Sequence, residues 1–256
     1  MNIYIGEVIS NEFLGDRYYL IRIKCPEIAR TIKEGQFLNV MCGNSNDPLL
    51  RRPFSIYRYF PEEGIIELAY LLKGKGTEII KEMIAGDKID LLGPLGNFYE
   101  ILDNTKGIAV IGRGVGIASI ASLAEKAKKD GLYSLAILSG RTPESIIGAD
   151  FLKEANCDVI SLYDSDNTSS IENLEKILVE KIEHGDITQI YSCGSNRIGK
   201  LVKKLSVEYG LESYISFEEV MACGIGVCKG CVCKTNEGYK TVCKDGPIFH
   251  VKEVEL

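Results

Sequence analysis

The chain has 256 residues, a formal net charge of −6, 45% hydrophobic and 26% charged residues, and nine cysteines. That is room for two ordinary domains and a short appendage in a globular protein, and the acidic balance gives no general reason to bind nucleic acid or an anionic membrane. No stretch approaches the roughly 18–20 apolar residues of a membrane span, and the opening MNIYIGEVISNEF lacks the basic-then-apolar plan of a signal peptide, so a cytoplasmic protein with reduced thiols is expected.

Residues 3–10, 17–25, 36–41, 53–59, 65–72 and 88–92 read as strands: short, rich in Ile, Val, Tyr and Leu, and separated by Gly, Pro, Asn and Asp. Closely spaced strands of this kind predict an antiparallel Greek-key barrel over residues 1–99. Within it, RRPFSIYR (51–58) sets an arginine beside a proline-fixed strand. Arg52 could offer a guanidinium to a pyrophosphate, Phe54 an apolar face and Ser55 a hydroxyl, although an edge strand with surface arginines fits as well. KGKGTEIIKEM (73–83) is a glycine turn entering a short helix, either a phosphate site or a plain turn with Thr77 as its cap. GDKIDLLGPLGNF (86–98) is a strand whose glycine–proline turn carries Phe98 out of the barrel.

From residue 107 the texture changes. GIAVI reads as a buried strand, and GVGIASIASLAEKAKKDG as a helix closed by Gly131 after a lysine-rich last turn. Strand and helix then alternate through LYSLAIL, GADFLKEAN, CDVISLY, SIENLEKILVEKI, TQIYSC and NRIGKLVKKLSVEYG, which predicts a doubly wound parallel sheet over residues 100–212. Gly112, Gly114 and Gly116 make a G-x-G-x-G loop between its first strand and first helix, with Ile117 in the third-glycine place. The second strand ends in LSGR rather than an acid, so the full dinucleotide fingerprint is not met. Cys193-Gly194 closes the fourth strand at the sheet edge where ligands bind, or is a buried structural thiol and its turn.

The remaining segment, 213–256, holds five of the cysteines. Cys223, Cys228, Cys231 and Cys243 read C-x4-C-x2-C-x11-C, the spacing of a plant-type [2Fe–2S] loop. Structural zinc usually takes two separated short pairs, and only Cys228 and Cys231 make one, with His184 and His250 isolated. The glycines between the cysteines suit a loop that must turn its amides toward sulfur. Cys233 leaves the third ligand ambiguous. Cys231 and Cys233 are expected to face opposite sides of an extended segment, so that one ligates and the other does not.

In this order the motifs resemble the ferredoxin–NADP reductase superfamily, and within it the electron-transfer subunits of type B dihydroorotate dehydrogenase, across essentially the whole chain. The resemblance implies FAD contacts at Arg52, Pro53, Phe54, Ser55, Tyr70, Leu71, Gly76 and Thr77. It implies a [2Fe–2S] cluster on Cys223, Cys228, Cys231 and Cys243, and an NAD(H) site bounded by Gly112, Gly114, Gly116, Cys193 and Gly194. It also implies a separate FMN-containing catalytic subunit, in a heterotetramer of two of each chain, that oxidises dihydroorotate in pyrimidine biosynthesis. No side chain of this chain is expected to act as an acid, base or nucleophile. Four places depart from the family pattern: Arg113 stands where glycine is usual, 162–170 lacks an Asp-Asp-Gly-Ser run, Ser195 replaces a proline, and Leu71 a basic residue. Two other readings share some of these features: the reductase subunit of a different ferredoxin- or sulfur-linked flavin oxidoreductase, and a non-catalytic zinc protein on the same scaffold.

Overall fold

A computed structural model describes residues 1–43 and 47–256. The first part of the chain forms β1 (Asn2–Gly15), β2 (Tyr18–Lys24), the short helix α1 (Pro26–Ala29), β3 (Phe37–Val40), β4 (Arg52–Ser55), β5 (Arg58–Phe60), β6 (Ile65–Leu71), α2 (Lys75–Lys81) and β7 (Lys88–Leu95). The strands make one antiparallel sheet in the order β4-β3-β7-β1-β2-β6-β5, a Greek-key arrangement in which β7 returns between β1 and β3. On β7 every second side chain is buried, as a sheet with one face on a core requires. Ile21, Ile23, Leu38, Val40, Ile66, Leu68, Ile89 and Leu91 fill the interior.

The expected six strands are seven, because the run at 53–59 breaks at Ile56-Tyr57. The Ile56 amide donates to the Gln36 carbonyl oxygen (2.9 Å) beside β3, and the Tyr57 amide to the Glu67 carbonyl oxygen (3.0 Å) on β6. One apolar run therefore serves both edges of the sheet and draws them together into a barrel.

The second part comprises β8 (Gly107–Arg113), α3 (Ile117–Lys129), β9 (Tyr133–Gly140), α4 (Ala149–Glu154), β10 (Asp158–Tyr163), α5 (Ile171–Glu183), β11 (Gln189–Cys193), α6 (Asn196–Glu208) and β12 (Glu212–Ser216). Its strands run parallel in the order β10-β9-β8-β11-β12. Ile108 and Val110 face the core under α3 and α4, whereas Ala109 and Ile111 face the core under α5 and α6. Burial on both faces explains why these strands read as unbroken apolar runs rather than alternating ones. Lys126, Lys128 and Lys129 close α3 before Gly131 takes φ +81°, as the sequence predicts.

The last segment adds the hairpin β13 (Val232–Thr235) and β14 (Gly238–Thr241), the turn α7 (Val242–Asp245) and β15 (Ile248–His250). β15 lies antiparallel on β12 and completes the six-stranded sheet. The nucleotide-type sheet thus continues across the 212/213 position. Side chains at both ends of the barrel tie it to the rest. Arg58 of β5 pairs with Glu125 of α3 at 3.0 Å. Asn97, just past β7, donates to the Ile248 carbonyl oxygen (2.7 Å) and accepts from the Ile248 amide (3.0 Å).

Candidate functional site

β4 lies at a sheet edge with Pro53, which has no N–H to donate, opposite Asn39. The two arginines of RRPFS have separate roles. Arg51 grips Asp90 through two hydrogen bonds (2.8 and 2.9 Å) and donates to the Asn39 carbonyl oxygen (3.3 Å). Arg52 reaches only the Leu50 and Arg51 carbonyl oxygens (2.7 and 3.4 Å) and meets no carboxylate among the described residues. Its guanidinium runs along Gly76, where a Cβ would sit 3.1 Å from Arg52 Nε, so the two sequence-predicted pieces are brought together. The Thr77 hydroxyl accepts from the Lys73 and Gly74 amides (2.9 and 3.1 Å) and donates to the Gly74 carbonyl oxygen (2.8 Å). It shapes the turn from inside the helix rather than capping it.

Phe54 packs 5.6 Å from Tyr70. The Tyr70 ring is fully buried in the barrel and its hydroxyl donates to Asn11 Oδ1 (3.0 Å). Any contact from Tyr70 to a ligand outside the barrel therefore runs through its backbone. Leu71 is half-buried against the core beneath α3. Ser55 is half-buried, and its hydroxyl has no partner among the described residues.

In the second sheet the strand order reverses between β8 and β11, the place where parallel sheets take ligands. Cys193 stands in register with Gly112. A Cβ on Gly116 would lie 2.7 Å from the Cys193 carbonyl and 2.8 Å from Gly194 Cα, and one on Gly194 would lie 2.2 Å from the Arg113 carbonyl oxygen. The glycine loop and Cys193-Gly194 are thus one close backbone contact that side chains would block. Gly114, at φ +57°, opens this crevice toward the Tyr18 hydroxyl of the barrel. The Cys193 thiol donates to Glu218 Oε1 at 3.7 Å. Burial, and next the Glu218 charge, push that thiol up, so it is a poor nucleophile. Desolvation by the atoms crowded around it raises the Glu218 carboxyl even though the residue is exposed, opposed by Cys193 and by the Lys73 charge beside the turn. Ser195 caps α6 by accepting from the Ile198 amide (3.4 Å), which accounts for a serine where proline is usual.

The cysteine loop lies against β3. Cys223 Sγ accepts from the Ile225 and Cys228 amides (3.5 and 3.4 Å), Cys243 Sγ from the Gly226 amide (3.1 Å), and Cys231 Sγ from the Cys243 amide (3.4 Å). The Cys223 and Cys228 thiols adjoin one another, as do those of Cys231 and Cys243. Among the described residues, no three His, Cys, Asp or Glu side chains gather around a single point. The four thiols of the C-x4-C-x2-C-x11-C spacing thus lie in one loop, with Cys243 also near enough to Cys223 to feel its charge. Gly224 and Gly226 take φ +69° and +81° to aim the amides, as the loop's glycines suggest. Burial would raise the Cys223 thiol, but the Cys228, Ile225 and Val227 amides draw it down to about 6. Burial and the neighbouring Cys231 push Cys243 up to about 12.

One expectation is overturned. Cys231 and Cys233 both face inward, with the more exposed Val232 between them, because side chains two apart on a strand share a face. What separates the two thiols is Cys243, whose thiol and amide meet Cys231.

Asn39 joins the parts. It sits on β3 opposite Pro53, and its Nδ2 donates to the Cys223 carbonyl oxygen (3.1 Å). Neither Asn39 nor Glu218 was picked out from the sequence. Glu218 carried one usable signal, an acidic doublet directly before the cysteine loop, whereas Asn39 carried none.

The family model of the iron-sulfur cluster binding domain of dihydroorotate dehydrogenase B matches residues 218–255. The chain is 36% identical to the dihydroorotate dehydrogenase B (NAD(+)) electron transfer subunit of Caldanaerobacter subterraneus subsp. tengcongensis, covering 97% of each chain. It is 31% identical to the subunit of the same name from Bacillus velezensis, again over 97% of each. Among solved structures, that of the NADH-dependent reduced ferredoxin-NADP oxidoreductase shares the fold with a TM-score of 0.83 at 24% identity, over 98% of this chain and 90% of that one. Phthalate dioxygenase reductase does so with a TM-score of 0.67 at 18% identity, over 92% and 87%.

Proposed function

This chain belongs to the family of dihydroorotate dehydrogenase B electron transfer subunits, and from that premise we propose that it carries electrons between a partner dehydrogenase and NAD+ through FAD and a [2Fe–2S] cluster. The observation that carries the reading is the cysteine loop with amides turned onto the Cys223, Cys231 and Cys243 sulfurs, hydrogen-bonded to Asn39 of β3, the strand paired with RPFS. When bound, a nicotinamide supplies two electrons together, a cluster takes one at a time, and a flavin couples the two.

The chain's own residues hold and position these groups. Arg52, which meets no carboxylate among the described residues, would grip the flavin pyrophosphate beside Gly76. Ser55 offers its unused hydroxyl to the ring, Pro53 and Phe54 form the strand it lies on, and the Tyr70 and Leu71 backbone completes the wall. Thr77 keeps the Lys73–Gly74 turn in shape. Gly112, Gly114, Gly116, Cys193 and Gly194 let the loop and the end of β11 meet backbone to backbone at the strand reversal, next to the barrel, and would bound the dinucleotide site there. Cys223, Cys228, Cys231 and Cys243 would hold the cluster, while Cys233, packed in the same core as Cys231 and Cys243, would not ligate. The partner is an FMN-containing catalytic subunit, and two of each chain form the working heterotetramer. Cys228 is exposed between Val227 and Lys229, which suits a cluster read from outside the chain.

The test is division of labour. The isolated chain should pass electrons from NADH to an artificial acceptor and show no activity with dihydroorotate. Adding the catalytic subunit should restore dihydroorotate-dependent NAD+ reduction. Failure of NADH at millimolar concentration to bleach the bound flavin, where dithionite succeeds, counts against the nucleotide half. Coupling to a different flavin dehydrogenase instead counts against the partner.

A further inference from the structure

Two departures from the family pattern, Arg113 and the segment after β10, meet in the fold. Arg113 ends β8, and its guanidinium spans the carboxyl ends of three neighbouring strands. Nη1 donates to Ser139 Oγ of β9 (2.9 Å) and to Asp164 Oδ1 just past β10 (3.1 Å), and Nη2 donates to Asp164 Oδ2 (2.7 Å). The Ser169 hydroxyl also donates to Asp164 Oδ1. The Asp164 amide donates to the Gly140 carbonyl oxygen (3.1 Å), so this residue hangs over the end of β9. In dinucleotide-binding sheets an acid at that place accepts from the ribose 2′-hydroxyl, whereas an arginine there accommodates a 2′-phosphate. LSGR supplies no acid from β9 itself.

The geometry points to Asp164 as the missing acid: delivered from the third strand and fixed by Arg113, it makes the site prefer a dinucleotide with a free 2′-hydroxyl over one with a 2′-phosphate. The inference rests on reading the glycine loop as the nucleotide site. A planar guanidinium bonded to both carboxylate oxygens holds the acid in one orientation, and Oδ2 keeps a lone pair for a ribose hydroxyl. A 2′-phosphate brought to the same place meets a like charge that Arg113 only offsets. Arg113 is therefore a positioning residue, and the two members of the pair have opposite effects on selectivity. Of the other cations nearby, Arg141 is exposed and its charge acts on Tyr18 of the barrel, while Arg197 acts on Asp164 from α6.

The experiment uses the cofactor-loaded chain, reduced with dithionite so that no turnover occurs, and measures binding of NADH and NADPH by titration calorimetry. The wild-type chain should bind NADH more tightly. Asp164→Asn should cut the preference by about tenfold, the order expected for one unit charge near a protein surface. Arg113→Gln should widen it, because the carboxylate loses its counter-charge. Melting temperature and retained flavin verify that both variants are folded. A preference unchanged within twofold in folded Asp164→Asn, or one that falls in both variants, overturns the assignment and leaves the nucleotide site standing. Absence of binding by either dinucleotide to the wild-type chain overturns the nucleotide-site reading, and the assignment with it.

Discussion

Arg52→Ala tests the flavin grip most directly, because its neighbour provides an internal control. Arg52 donates only to backbone carbonyls of its own turn, so truncation breaks no ion pair among the described residues. On the proposed reading the variant loses a charge-assisted, double-pronged contact to phosphate, which contributes roughly 1.5–3 kcal/mol. That corresponds to a fall in FAD affinity of about ten- to more than a hundredfold. Arg51→Ala removes equal charge one residue away but breaks the bonds to Asp90 and to the Asn39 carbonyl. Its cost, about 1–3 kcal/mol, should appear as a lower melting temperature, by roughly 2–4 °C per kcal/mol for a chain of this size. The assay is flavin fluorescence released on serial dilution, run beside a thermal melt. Arg52→Ala should shed FAD at a near-normal melting temperature with its iron retained. If Arg51→Ala sheds more FAD than Arg52→Ala, the division of roles between the two arginines is wrong.

Three further outcomes follow from the same geometry. Cys231→Ser should lose the cluster and Cys233→Ser keep it; iron analysis and visible absorbance decide, and the reverse result would move the third ligand to Cys233. Gly224→Ala should also lose the cluster, because a Cβ there would sit 1.9 Å from Asn39 Nδ2 at a φ that disfavours side chains; full iron content in that variant would refute the Asn39 contact. Its crowded surroundings raise the Glu218 carboxyl above its unfolded value of 4.5 although the residue stays exposed, so the folded chain holds that proton longer and stability falls slightly as pH climbs from about 4.5 through the folded value. Glu218→Gln should flatten that limb of the melting-temperature profile, and an unchanged slope would count against the carboxyl.

The sequence carried those features whose physics is local. Five cysteines within 21 residues, glycines at the turns, and unbroken apolar runs on buried parallel strands need no knowledge of distant residues. Features that depend on two remote segments were hidden. The run at 53–59 reads as one strand, yet Ile56 bonds to Gln36 beside β3 and Tyr57 to Glu67 on β6, at opposite sides of the sheet. Tyr70 looked like a ligand contact, but its ring turns inward to Asn11, a partner from another strand. Arg113 and Asp164, read singly, were two departures from a pattern; 51 residues apart, they are one ion pair. The misjudged orientation of Cys231 and Cys233 is different, since the two-residue period of a strand was available from the sequence.

The position of β15 has a wider meaning for how this chain is put together. Ser216 and Ile248 are opposite partners on adjacent strands, and the Phe217 amide donates to the Pro247 carbonyl oxygen (2.9 Å). All four cysteines of the C-x4-C-x2-C-x11-C loop lie between these two anchored points. In topological terms the metal-binding segment is a cassette spliced into a hairpin, with entrance and exit side by side. Loop closure costs little more for a long insert than for a short one. A cassette of different length or cargo can therefore occupy the same pair of strands without changing the order of any other strand. The redox terminal is an interchangeable fitting on a flavin–nucleotide chassis, and Asn39 and Asn97 are the two fasteners that index it to the barrel.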